Sequence, residues 1–174
     1  GRNPCSRRTS SPAGKQKPYV ATTGQVWAIH DALPEHMRVA VLLGAFVGLR
    51  VSEVAALRVE DVDFMRGIVT PAIQWPNEPL KTEGSGQEIP IPNELVLMIS
   101  ESVRKYPSDS GRVVTDGWGT DHAGPWTIER HFREARAKVD GLPAKFTFHD
   151  LRHYLASMLI ASGADIKTVQ ARLR

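Results

Sequence analysis

Apolar and polar positions alternate in blocks along this chain, and the period of each block predicts its element. Residues 1–20 show no such period; they are rich in Ser, Pro, Gly, Arg and Lys and read as a linker or basic arm. Thr22 or Thr23 can cap a helix from about Gly24 to Ala32, with Val26, Trp27 and Ile29 apolar. Pro34 suits the first turn of a second helix running through Val47, and Gly48 breaks it. Val51, Val54, Ala55 and Leu57 mark one side of a third helix, from about Val51 to Leu57. The pattern then shortens. Asp61 to Ile73 reads as a turn into a strand centred on Ile68 and Val69. Lys81 to Pro92 reads as a hairpin, with Glu83-Gly84-Ser85-Gly86 as its turn and Ile89 and Ile91 alternating on the returning strand. Helical spacing returns from about Asn93 to Tyr106, Trp126 to Lys138 and Phe148 to Ala161, and a last helix begins at Asp165 as N-cap. Ser108 to Trp118 is loop, and Asp116 to Pro125 has the composition of an irregular segment. The fold class predicted is α+β, mostly helical with a small antiparallel β-sheet.

Composition narrows this reading. The chain has 174 residues, 41% hydrophobic and 24% charged, which suits one globular domain. Its longest apolar run, Val39 to Leu49, is too short to cross a bilayer. A single cysteine, Cys5, excludes an internal disulfide and fits a reducing compartment. The net charge of +3 is unevenly placed. The first thirty residues hold five Lys and Arg and no acid, and Glu129 to Arg174 holds nine against five acids. A basic arm and a basic C-terminal third suit a polyanionic partner such as nucleic acid. The four tryptophans, Trp27, Trp75, Trp118 and Trp126, show no stacking pattern and read as core or loop anchors.

The candidate chemistry lies in three stretches. Thr147 and Asp150 have the spacing of a capping box. In the helix they start, Leu151, Leu155, Met158 and Leu159 form a core stripe, while His149, Arg152, His153 and Ala156 share another face. The first turn of a helix also offers backbone N–H groups to an anion. Arg50 sits between Gly48 and Glu53, and Glu53 can steady it by a hydrogen bond. Two guanidiniums on the non-bridging oxygens of one phosphodiester would neutralise a developing charge without metal. Lys81, beside a Gly-Ser-Gly turn, suits protonation of a leaving oxygen. His149 and His153 have the i, i+4 spacing of a zinc pair, but Asp150 stands where a zinc protease needs Glu, so no metal is expected. Arg130 and His131 lie on a basic helix that can meet backbone phosphate.

Gly48 to Leu57 (GLRVSEVAAL), Lys81 to Pro92 (KTEGSGQEIPIP) and Thr147 to Leu173 together resemble the tyrosine recombinases, the phage-integrase group in particular. The resemblance covers most of residues 20 to 174. It implies the catalytic-domain fold of that family over residues 21–174, after the 1–20 arm, with Arg50, Lys81, His149 and Arg152 around the scissile phosphate. Glu53 and His153 would support them. Family chemistry is attack by a tyrosine to give a 3′-phosphotyrosyl link and a free 5′-hydroxyl, which then attacks the partner duplex; no cofactor is implied. The family places a His or Trp about two dozen residues after the second arginine and the nucleophilic tyrosine beyond it. Tyr19, Tyr106 and Tyr154 do not match that place, and Tyr154 matches a packing aromatic. The expectation is therefore a C-terminally truncated catalytic domain with no nucleophile in this chain, inactive for cleavage by itself.

The partners implied are double-stranded attachment-site DNA and, on that DNA, three further copies in a tetramer, the isolated piece being a monomer. Accessory DNA-bending and directionality proteins, no membrane, and the bacterial cytoplasm or nucleoid complete the expectation. The alternative is a non-catalytic helix-turn-helix regulator built on Leu159 to Val169. There Ile166, Val169 and Leu173 would be buried, with Lys167, Gln170 and Arg172 facing the groove. That reading leaves Arg50 and Lys81 without a purpose, and the position of Arg50 relative to Arg152 separates the two. A type IB topoisomerase is disfavoured by the short hairpin and the GLRVSEVAAL segment.

Overall fold

The computed structural model describes residues 17–80, 86–118 and 123–173. Helix α1 (Thr23–Ala32) opens the fold behind a reciprocal cap: Gln25 N–H donates to Thr22 Oγ1 and Thr22 N–H to Gln25 Oε1, both at 3.0 Å. A 3-10 turn (Glu35–Met37), α2 (Arg38–Leu42) and a π-helical turn (Leu43–Val47) then follow without a break. This is the second helix expected, with its ends wound differently. Gly48, at φ 87°, stops it in the left-handed region that glycine enters without strain. Helix α3 (Val51–Ala56) starts three residues later.

Among the described residues five two-residue strands follow: β1 (Val62–Asp63), β2 (Ile68–Val69), β3 (Ile73–Gln74), β4 (Glu78–Pro79) and β5 (Ile89–Pro90). They form an antiparallel sheet in the order β1-β2-β5 and a separate β3-β4 ribbon. Here the structure adds a pairing that the sequence reading did not name. The returning strand of the expected hairpin pairs with β2, in the register Val69 to Ile89, and Ile91 N–H donates to the Gly67 carbonyl at 2.8 Å. The cause is burial: Ile89 and Ile91 alternate inward as expected, and Val69, fully buried, is the apolar neighbour they need. The other arm and most of the turn, Lys81 to Ser85, lie outside the described residues.

Helices α4 (Asn93–Lys105), α5 (Pro125–Arg136), α6 (Leu151–Ala161) and α7 (Ile166–Leu173) complete the chain, α6 being led in by a 3-10 turn, Phe148–Asp150. The core is one cluster running from α1 and α2 through α3 to α5 and α6. Gly44 permits its closest approach. A Cβ there would stand 2.5 Å from Phe148 Cζ, so only a bare backbone lets the π-helical turn lie against the ring that precedes His149.

Two stretches depart from expectation. On α6, Leu151, Tyr154 and Leu155 are buried, but Met158 is 44% exposed, because the stripe outruns the layer it packs on. On α7 only Val169 is fully buried, and Ile166 is 63% exposed. Among the tryptophans, Trp27 packs on Phe46 with ring centroids 5.4 Å apart, whereas Trp118 and Trp126 are mostly exposed and anchor no core. Among the described residues no helix is long and apolar enough to cross a membrane. Gly44→Ala should cost about 1–3 kcal/mol through overpacking, which calorimetry would read as a Tm lower by several degrees; an unchanged Tm would contradict the contact with Phe148.

Candidate active site

The left-handed Gly48 turns the chain so that Leu49 is buried and Arg50, in extended backbone, becomes the N-cap of α3. Arg50 has no cap oxygen in its side chain, so Glu53 supplies the cap from inside the helix. Its carboxylate accepts the Arg50 main-chain N–H at 2.8 Å while its own N–H donates to the Arg50 carbonyl at 2.9 Å. Glu53 is only 2% exposed. A buried carboxylate under the α-carbon of Arg50 fixes the root of that side chain and places a negative charge below a cationic surface.

The second arginine arrives from the other end of the sequence. Asp150 caps its own turn, accepting from Thr147 N–H at 2.8 Å and from the Thr147 hydroxyl at 3.2 Å. Phe148 is buried on one side of this turn and His149 is exposed on the other. One residue into α6, Arg152 reaches across. Its Nη1 donates to the Gly48 carbonyl at 2.7 Å and its Nη2 to the Leu173 carbonyl at the end of α7. The guanidinium is thus fastened to the turn that carries Arg50, two residues further on.

His149 completes the group. Partial desolvation of the ring and then the Arg152 guanidinium hold its pKa below the usual 6.5; Asp150 pulls it up, and His153 and Arg50 push it down further. Arg152 and, more weakly, Arg50 both contribute to that lowering. The lowering favours the neutral imidazole, which can donate from one nitrogen and accept at the other. His153 lies half-buried with Nε2 3.9 Å from Asp150 Oδ1, against the capping carboxylate.

Lys81 lies outside the described residues. The β3-β4 ribbon that precedes it in sequence docks on α3, where Trp75 N–H donates to the Ser52 carbonyl at 2.8 Å. Arg130 and Lys167 are exposed, on α5 and α7. Arg172, expected to face outward, is half-buried: its Nε is shielded from solvent, and its side chain lines a cleft with Ile89 and Pro90 of β5. The next carbonyl along, that of Leu173, accepts from Arg152. His131 is also turned in, with its ring 6.1 Å from that of His36. Tyr154 is 2% exposed, with its hydroxyl 3.0 Å from Thr23 Oγ1, and is a packing aromatic. Among the described residues no cluster of His, Cys, Asp and Glu could hold a metal ion. Sequence reasoning missed Arg112, which is buried and bonded to both Ala56 and Asn77. The one available signal was an arginine set directly before two valines, Val113 and Val114.

Comparison with known proteins bears on the family and the fold. The sequence model of the phage integrase family matches residues 22–174. Tyrosine recombinase XerA of Pyrococcus furiosus is 29% identical over 164 residues, which is 91% of this chain and 54% of that protein. In structure, the chain resembles the Tn1549 transposon integrase solved in complex with transposon right-end DNA, with TM-score 0.76 and 17% identity over 91% of this chain and 58% of that one. It also resembles the lambda integrase catalytic core, with TM-score 0.66 and 21% identity over 88% of this chain and 90% of that one. The chain spans about half the length of the curated relatives it matches.

An NMR titration should place the His149 pKa below 6.5, and Arg152→Gln should raise it, since a positive neighbour is removed. No movement in the variant would mean that Arg152 does not face the imidazole.

Proposed function

The chain belongs to the phage integrase family, and on that footing we propose that it is the catalytic domain of a site-specific DNA recombinase, residues 21–174 following a basic arm at 1–20. Its substrate is double-stranded attachment-site DNA. The observation that carries this is the hydrogen bond from Arg152 to the Gly48 carbonyl, which brings the HDLRH turn to the GLR turn. Arg50 and Arg152 bind the two non-bridging oxygens of the scissile phosphate and offset the charge of the pentacoordinate transition state. Neutral His149 hydrogen-bonds at the same centre, and Lys81 protonates the departing 5′-oxygen. A tyrosine attacks phosphorus to form the 3′-phosphotyrosyl link, which conserves the bond energy for rejoining. No metal or cofactor enters these steps. On DNA the full-length protein works as a tetramer in the cytoplasm, with accessory DNA-bending and directionality proteins.

The regulator reading asked for Arg50 and Arg152 on separate parts of the molecule, and the Arg152–Gly48 bond leaves it without support. In the full-length protein, Arg50→Ala and Arg152→Lys should each slow covalent attachment to a suicide substrate by about 10²–10³-fold with the fold retained by circular dichroism. Attachment at the parent rate in both variants would refute the assignment. Exposed Arg130 and Lys167 should behave as phosphate contacts: each change to Ala should lower the slope of log affinity against log salt by about 0.9. Arg172→Ala should instead lower Tm and leave that slope in place.

A further inference from the structure

Arg112 occupies the loop between α4 and α5 and is 7% exposed. Its backbone is held at the end of α3: it forms a bridge with Arg58, and Val113 N–H donates to the Leu57 carbonyl at 3.0 Å. Its guanidinium divides between two elements. Nη1 donates to the carbonyl of Ala56, the last residue of α3, and Nη2 donates to Asn77 Oδ1 at 2.6 Å in the turn of the β3-β4 ribbon. Nε is buried with no hydrogen-bond partner among the described residues.

This is an expensive way to join a loop to a helix. Burial works against the charged guanidinium, the Arg58 charge adds to that, and only Asp61 favours it. A charge kept buried with one donor unmet marks a place where geometry outweighs stability. What it fixes is the ribbon. Trp75 N–H holds the ribbon to Ser52 in the first turn of α3, and Arg112 holds Asn77 to the last residue of the same helix. The ribbon is therefore pinned at both ends of the helix whose N-cap is Arg50. Lys81 follows Pro79 by two residues in the sequence.

We infer that Arg112 is a positioning residue: through Asn77 it seats the β3-β4 ribbon on the Arg50 helix and so sets the point from which the Lys81 segment departs. The inference rests on the proposed role of Lys81 as the proton donor to the leaving 5′-oxygen. It makes a chemical distinction testable. When the P–O bond breaks, the 5′-oxygen needs a proton; a sulfur in its place leaves as a thiolate and needs none.

Single-turnover cleavage by the full-length protein would be measured on two suicide substrates, one with oxygen and one with sulfur at the scissile 5′-bridging position. Asn77 is exposed, so Asn77→Ala removes the acceptor without opening the core. It should slow the oxygen substrate about 10-fold, a fraction of the roughly 10²–10⁴ that general acid catalysis supplies, and leave the sulfur substrate and DNA affinity close to parent values. Asn77→Asp keeps an acceptor for Arg112 and should restore the rate. A parent-like rate for Asn77→Ala on oxygen, or equal slowing on both substrates, overturns the inference. Lys81→Ala on the same pair separates the two claims. If Lys81→Ala is rescued by sulfur and Asn77→Ala is not, only the positioning role fails. If sulfur does not rescue Lys81→Ala, the proton-donor reading fails and takes the inference with it.

Discussion

A hydrogen bond across 104 residues of sequence joins the two halves of this domain where the chemistry is placed: Arg152 Nη1 on the Gly48 carbonyl. It depends on a backbone carbonyl turned outward, which depends in turn on the left-handed conformation at Gly48. It also depends on α6 starting where it does, which the Thr147–Asp150 cap enforces. The same guanidinium reaches the Leu173 carbonyl, so α6, α7 and the GLR turn converge on one side chain. A charged donor on neutral carbonyls is a stronger tie than two neutral partners would make.

The two carboxylates near the site are used in the same manner. Glu53 and Asp150 each accept a main-chain N–H at a helix start, three residues ahead of themselves. Negative charge thereby fixes the backbone beneath Arg50 and His149. Above that backbone, partial desolvation and the neighbouring cations hold the His149 pKa below its usual value, against the pull of Asp150.

What could be read from the sequence was what is local in the chain. Gly48 as a helix stop, the Thr147–Asp150 cap and the α+β class all follow from spacing over a few residues, and the structure carries each of them; Tyr154 as a packing aromatic came from the family resemblance, and it is buried. What could not be read was pairing at a distance. Ile89 and Ile91 announced a strand, but not that β2 would be its neighbour. Arg172, assigned an outward face, is half-buried in a cleft beside Ile89 and Pro90, neighbours that lie far away in the sequence. Arg112 escaped notice since a buried guanidinium shows no period, only partners that the fold supplies. The catalytic roles themselves came from family resemblance; geometry brings Arg50, His149 and Arg152 together without assigning their tasks.

Gly44 touches no substrate and has no functional group. Yet the ring that fills the space above it belongs to the residue beside His149. A methyl group at that spot would meet the ring at 2.5 Å. A position with nothing to contribute chemically thus sets how closely the turn bearing the imidazole can lie against the core.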